Sequence, residues 1–163
     1  LIRIGLLSDT HGYIHPKLYD FFNECNELWH AGDMGNIGIA DELNAFKPLR
    51  AVYGNVDGYD VRKVYREELV FWCEKVKVAM MHIGGYPGKY SPAARTLISL
   101  EKPRIFISGH SHILKVINDP HNHLLHINPG AAGKEGMQQV STAIRFSIDG
   151  ERIFDLEILE LKR

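Results

Sequence analysis

The spacing of apolar and polar positions divides the chain into two unlike parts. Near the start, IRIGLLS is a short apolar run stopped by Asp9, which predicts a buried strand. In HPKLYDFFNECN, Leu18, Phe21, Phe22 and Cys25 recur at i, i+3, i+4 and i+7. That spacing makes one apolar helix face, and Pro16 suits its first turn. ELWHAGD predicts a second strand ending at Gly32-Asp33, IADELNAF a short helix stopped before Pro48, and LRAVYGN a third strand ending at Gly54-Asn55. A β-α-β-α-β order calls for parallel strands with covering helices.

Further on the period changes. In ELVFWCEKVKVAMMHIGG, Val76, Val78 and Met80 alternate with Lys75, Lys77 and Ala79, which predicts two adjacent strands, the second ending at His82. Ser91-Pro92 then opens a helix as N-cap and first turn, running to about Lys102. RIFISGHSH predicts the next strand. LKVIND, HLLHINPG, STAIRFSID and RIFDLEILEL follow as strands, with turns at Asp119-Pro120 and Asp149-Gly150. The first two thirds read as α/β and the last third as mainly β. Two packed sheets with helices outside, in one domain over residues 1–163, are the expectation.

Composition narrows the function classes. The chain is 45% hydrophobic and 24% charged, ordinary for a globular protein with a real core. A formal net charge of -1 provides no basic field for a nucleic-acid backbone, and no Lys/Arg run marks a local patch. The apolar runs are shorter than the roughly 20 residues a membrane helix needs. In LIRIGLLSDTHG, polar Ser8 and Asp9 come too early for a secretory signal, so a cytoplasmic location is expected. Cys25 and Cys73 have no metal spacing and read as reduced, partly buried thiols, a disulfide between them being left open.

The strand ends carry the chemistry. The first ends in SDTHG with Asp9 and His11, the second in AGD with Asp33, and the third in YGNVD with Asn55. Later strands end in MMHIGG with His82 and in SGHSH with His110 and His112. Ligands of open α/β sheets bind outside the carboxyl ends of the strands, so these groups would converge in one crevice. Asp9 alone reads as a cap, His82 as a core histidine and Asn55 as a turn residue, but successive strand ends of one kind favour convergence. Such a set of N and O donors exceeds one tetrahedral ion and suits two ions sharing a carboxylate, for which Asp33 is the natural bridge. Mixed imidazole and carboxylate donors suit Mn, Fe, Co, Ni or Zn over Mg or Ca; manganese is the first expectation among them.

Together and in this order, SDTHG, AGD, GNVD, HIGG and SGHSH resemble the calcineurin-like metallophosphoesterase superfamily. The short chain and the NPGA at 128–131 resemble its small single-domain branch, the YfcE-type phosphodiesterases. The resemblance implies a four-layer α/β/β/α sandwich of two mixed β-sheets flanked by helices. It implies that Asp9, His11, Asp33 and His112 hold one metal, and Asp33, Asn55, His82 and His110 the second. It implies hydrolysis of a phosphoester, with a small phosphodiester as the first expectation, by a metal-bridging hydroxide. Surplus positive charge at such a centre favours a singly charged diester over a doubly charged monoester.

Among the remaining polar residues, His30 reads as core or as support for the site. Asp57 reads as a partner of a ligand histidine or as the fixer of the GNVD turn. Asn128 reads as a turn residue, and His15, His121, His123 and His126 as structural. Many superfamily members carry a histidine directly after the GN asparagine to protonate the leaving oxygen. Here that position is Val56, which leaves the general acid unidentified; the catalytic candidates are Asn55, His11 and Asp57. The alternative function is a weak or inactive scaffold of the same fold, resembling the small subunit of retromer. A nuclease subunit is disfavoured by the charge and the length. No partner beyond a small substrate is indicated, and a homo-oligomer is left open.

Overall fold

The computed structural model describes residues 1–163. One sheet runs β10-β9-β1-β2-β3 and the other β4-β5-β6-β8-β7. The first comprises β1 (Ile2–Leu7), β2 (Glu27–His30), β3 (Leu49–Ala51), β9 (Val140–Asp149) and β10 (Arg152–Lys162). The second comprises β4 (Glu68–Cys73), β5 (Val76–Met81), β6 (Ile105–Ile107), β7 (Lys115–Asp119) and β8 (Leu124–Asn128). Both are mixed. β1, β2 and β3 are parallel, and so are β5, β6 and β8, with antiparallel strands added at the edges.

The layers follow from side-chain alternation. Ile4, Leu6 and Trp29 of the first sheet and Val78, Met80, Ile105 and Ile107 of the second share one buried core between the sheets. Trp29 lies edge-on to Phe71 and Phe146, with centroids 5.0 and 5.7 Å away, so one indole ties the two sheets together. Each such fully buried apolar side chain contributes about 1.5–3 kcal/mol. The outer face of the first sheet, with Leu7 and Leu28, is covered by α1 (Lys17–Phe21) and α2 (Ile37–Phe46) through Leu18, Phe22, Ile39 and Leu43. The outer face of the second, with Ala79, Met81 and Phe106, is covered by α4 (Pro92–Glu101) through Ala94, Leu97 and Ile98. The architecture is the four-layer α/β/β/α sandwich.

Local signals fix most boundaries. The Asn36 side chain caps α2 by accepting from the Ile39 amide at 3.2 Å, and the Ser91 side chain caps α4 by accepting from the Ala94 amide at 3.1 Å. The first helix is shorter than its apolar spacing predicts. It stops at Phe21, because the chain must turn back for the Asn26 amide to reach the Arg3 carbonyl at 2.7 Å and start β2. Leu18, Phe22 and Cys25 are buried all the same, so a turn reproduces the face that a longer helix would present. A single helical turn, α3 (Tyr59–Arg62), follows the GNVD segment without a periodic signal to announce it. Cys25 and Cys73 are free and lie in different cores. No helix is long and apolar enough to cross a membrane.

Candidate metal centre

Five of the six strands with a parallel neighbour deliver polar groups from their carboxyl ends to one place. β1 leads into Asp9 and His11, β2 into Asp33, β3 into Asn55, β5 into His82 and β6 into His110 and His112. The ligand atoms form two clusters, Asp9 with His11 and His112, and Asp33 with His82 and His110; within each, the atoms lie inside 4.8 Å of one another. Asn55 joins the second, its Oδ1 lying 3.1 Å from His110 Nδ1. Asp33 sits between the clusters: its Oδ2 is 3.0 Å from His82 Nε2 and 3.9 Å from His11 Nε2. Asp9 Oδ1 lies 3.2 Å from His112 Nε2 and 3.7 Å from both His11 and His82.

The backbone is bent to achieve this. Asp9, His11, Asp33, His110 and His112 all have positive φ, between 45° and 69°. Asp and His tolerate this left-handed region better than most residues, yet it costs on the order of 1–3 kcal/mol each and persists where the surroundings over-determine it. The close approach needs glycine at two points. A Cβ at Gly54 would overlap the Asp33 carboxylate, and one at Gly109 would overlap the Ser8 hydroxyl beside Asp9.

Three of the donors are held from behind. Asp9 Oδ2 accepts from the Ser8 hydroxyl at 2.6 Å and the His110 amide at 3.2 Å, leaving Oδ1 to the imidazoles. Asp33 Oδ1 accepts from the Val56 amide at 2.8 Å, leaving Oδ2 free. His82 Nδ1 donates to the Ala31 carbonyl at 2.8 Å, which points Nε2 into the site. Asp57 touches no histidine. It is 2% exposed, and its carboxylate accepts from the amides of Asp33 (2.9 Å), Gly35 (2.9 Å) and Gly54 (2.8 Å). It therefore joins the AGD and GNVD turns. Asn128 does more than turn the chain: its Nδ2 donates to the Gly109 carbonyl at 3.0 Å and to Ser111 Oγ at 3.1 Å, bracing the segment that carries both histidines.

Two supporting residues escape sequence reasoning. Arg62, on the unannounced α3, donates to the carbonyls of Asp57 at 2.6 Å and Asn55 at 3.2 Å, and its guanidinium lies 4.6 Å from the Tyr53 ring centroid. The other is Thr10. The Gly32 amide donates to His30 Nδ1 at 3.1 Å, so His30 Nε2 carries the proton and donates to Thr10 Oγ1 at 3.0 Å. The hydroxyl in turn donates to the Met34 carbonyl at 3.0 Å. His30 is fully buried and held neutral, its pKa pushed down to about 4 by burial.

The electrostatics ask for cations. Burial opposes the charge on Asp9, but His11, His112, His82 and Ser8 outweigh it, and the carboxyl titrates far below the usual carboxylate range. Burial likewise opposes the charge on Asp33, which His82 and the Val56 amide bring below its ordinary value. The Asp9 carboxylate raises the pKa of His11; for His82, burial pulls down but Asp33 and Asp9 raise it overall. Yet Asp9 Oδ1, His11 Nε2 and His82 Nε2 are buried without a hydrogen-bond partner. His82 Nε2 and Asp33 Oδ2 in particular stand 3.0 Å apart without hydrogen-bond geometry. Lone pairs facing one another in this way fit divalent ions between them, and the donor types fit transition metals.

Residues 2–151 match the sequence model of the calcineurin-like phosphoesterase superfamily domain. The chain belongs to this superfamily. A probable metallophosphoesterase of Methanothermobacter thermautotrophicus is 29% identical over 163 residues, covering 96% of this chain and 91% of the relative. One of Methanocaldococcus jannaschii is 31% identical over 134 residues, covering 78% of this chain and 67% of the relative. Solved structures share the superfamily fold at lower identity. A Vps29 variant from Entamoeba histolytica superposes with a TM-score of 0.76 at 16% identity, covering 99% of this chain and 100% of its own. A predicted phosphoesterase from Streptococcus pneumoniae gives 0.75 at 22%, covering 99% and 98%. Family membership makes this a metallophosphoesterase domain whose fold implies divalent ions, with the two clusters as candidate ligands. The largest hollow, about 790 Å³ and lined by Arg95, Lys102 and Arg104, opens where β6 begins, away from the end where the histidines gather.

Proposed function

We propose that the protein is a cytoplasmic phosphodiesterase working with two divalent transition ions, manganese first among them, on a small phosphodiester. The observation that supports it most is the meeting of two donor clusters at Asp33, with buried ligand atoms that have no partner in the protein. Asp9, His11, Asp33 and His112 would hold one ion, and Asp33, Asn55, His82 and His110 the other. Such ions lower the pKa of water to near neutrality and draw charge from phosphoryl oxygens. The chain's own part is to place the donors. Asp57 and Arg62 fix the Asp33 and Asn55 turns, and Asn128 and Ser8 fix the histidine segment and Asp9. With only Asp9 and Asp33 as carboxylates against two divalent ions, positive charge remains for the substrate, which suits the single charge of a diester. The free, buried Cys25 and Cys73 agree with a reducing compartment.

The scaffold reading draws on the Vps29 fold. The full donor set weighs against it. Hydrolysis of bis(4-nitrophenyl) phosphate and 4-nitrophenyl phosphate, after chelation and with Mn, Zn, Ni, Co or Mg restored in turn, decides the matter. The diester should be the better substrate and manganese the better ion. A faster monoester would overturn the diester assignment, and inactivity with every ion would leave the scaffold.

A further inference from the structure

Between β8 and β9, residues 134–138 belong to no helix or strand, yet they are pinned. The pin is Arg163, just past the end of β10. Its Nη1 donates to the carbonyls of Glu135 and Gln138, both at 3.0 Å, and reaches those of Lys134 at 3.4 Å and Gly136 at 3.5 Å. Its Nε donates to Ser141 Oγ at 3.0 Å, and that hydroxyl donates to the Gly133 carbonyl at 2.6 Å. One guanidinium thus gathers most of the segment's carbonyls through charge-assisted hydrogen bonds. Lys134 Nζ lies 3.8 Å from the Tyr13 ring centroid and ties down the segment's start.

The pinned segment backs onto the metal centre. The Gly133 amide, at its head, donates to the Asp9 carbonyl at 3.1 Å. Gly136 has a φ of 103° and lies against the His112 ring. A methyl group on its Cα would sit 2.5 Å from His112 Nδ1 and 3.2 Å from His112 Cε1. The same methyl group would be 3.0 Å from Gln138 Oε1. Only glycine leaves this space open, and His112 Nδ1 and Gln138 Oε1 border it together. They are no farther apart than those two distances laid end to end.

The two atoms are complementary once the centre is loaded. His112 Nε2 faces Asp9 Oδ1 at 3.2 Å, inside the first donor cluster. A metal on Nε2 puts the ring proton on Nδ1. A ligand histidine almost always gives that proton to an oxygen, as His82 does to the Ala31 carbonyl. Gln138 Oε1 is such an oxygen, and it is buried without a hydrogen-bond partner. An unmet buried acceptor costs about 1–3 kcal/mol, which the Nδ1 proton would recover. The second cluster is braced elsewhere, by the Ala31 carbonyl at His82 and by Asp57 behind the Asp33 amide.

Resting on the two-metal reading, we propose that Gln138 is a positioning residue for the ion held by Asp9, His11 and His112. A small turn of its side chain lets Oε1 accept the Nδ1 proton of His112. Arg163 keeps the segment in place for that bond. Together they fix the tautomer and direction of the ring, so that the Nε2 lone pair stays aimed at the ion. The support belongs to one ion and not to the other.

The test is a zinc titration of isotope-labelled protein, read by NMR at the histidine ring nitrogens. His112 reports the first cluster and His82 the second. In the loaded, unmodified protein the His112 Nδ1 proton should be protected from exchange with water. Gln138→Leu should lose that protection and weaken zinc at the first cluster by about 10–100-fold, leaving the second close to its unmodified affinity. Gln138→Glu keeps an acceptor and should restore both. Arg163→Gln should weaken the same ion and spare the other, and it carries the test if Gln138→Leu does not fold. Unchanged protection and affinity in the folded variants overturns the proposal. So does equal weakening of both clusters, which is what general loosening would give. If zinc binds at neither cluster of the unmodified protein, the two-metal reading falls and this one with it. If both ions bind and the variants match the unmodified protein, this one falls alone.

Discussion

Asp57 holds Asp33 in place without touching its side chain. The buried Asp57 carboxylate accepts from the Asp33 backbone amide at 2.9 Å, and also from Gly54 at 2.8 Å, so it couples the AGD turn to the GNVD turn. The Asp33 φ of 57° is fixed by this grip rather than by local preference. Asp57→Asn puts an amide N–H where an acceptor is needed and leaves buried backbone donors unmet. It should cost about 2–4 kcal/mol of stability. It should also weaken metal binding by about 10–100-fold, the usual effect of losing a group that orients a ligand. Chelator-free calorimetry with manganese and urea unfolding measure the two effects. Unchanged metal affinity in a folded variant would deny Asp57 its positioning role.

The position of Asp33 between the clusters gives a second prediction. Its Oδ2 faces His82 of one cluster at 3.0 Å and His11 of the other at 3.9 Å. Asp33→Ala should lower the occupancy of both ions. His110→Ala and His112→Ala should each lower mainly one, and not the same one. Metal counting by mass spectrometry, with metal-bound structures of the variants, checks this. Full occupancy in Asp33→Ala, or loss of the same ion from both histidine variants, would contradict the arrangement.

The convergence of Asp9, His11, Asp33, Asn55, His82, His110 and His112 was legible because parallel strands deliver their carboxyl ends to one side, and apolar runs mark where strands stop. What held these residues was not legible. The partners of Asp57 are backbone amides distant in sequence, and a backbone amide leaves no mark on residue identity. Arg62 acts from a single turn of helix too short for a periodic signal. The early helix was overdrawn because Leu18, Phe22 and Cys25 face the core whether or not the helix continues. His126 read as structural from its place on a strand, and its unmet Nε2 becomes apparent only when the Phe106 carbonyl fixes which nitrogen carries the proton.

Acid should loosen the metal-free protein in a defined window. His126 and His30 titrate near pH 6.5 when unfolded and at about 4 in the fold, through burial. Between those values the unfolded chain binds more protons, so stability rises with pH, and it is lost as pH falls from 6.5 toward 4. The raised pKa values of His11 and His82 add nearly constant stability below 6.5, and the depressed carboxylates Asp9 and Asp33 lose theirs only at lower pH. The window thus belongs mainly to the two buried histidines, each worth up to about 3 kcal/mol. Urea midpoints in chelator at pH 7 and 4.5 should show the fall, and His126→Phe should lessen it. An equally steep fall in that variant would assign the effect elsewhere.

The last prediction concerns Val56. Its amide serves Asp33 at 2.8 Å, but the residue is 56% exposed and its side chain has no proton to give. Two of the three catalytic candidates are unsuited to protonate the leaving oxygen. Asp57 is occupied by backbone amides, and Asn55 does not titrate. Charge on the departing oxygen then costs more as the leaving alcohol becomes a weaker acid. General-acid assistance is typically worth about 10²–10⁴-fold, so its lack should be plain in a series of substituted aryl phosphodiesters. With manganese saturating and chemistry rate-limiting, kcat/KM should fall steeply as the leaving-group pKa rises, and plain alkyl esters should turn over slowly. Val56→His should flatten the slope if the new imidazole reaches the oxygen without capturing an ion, which metal counting on the variant would reveal. A slope near zero in the unmodified protein would mean that an acid is present after all. The residue to change next would then be His11, whose Nε2 is buried in the centre with no partner of its own.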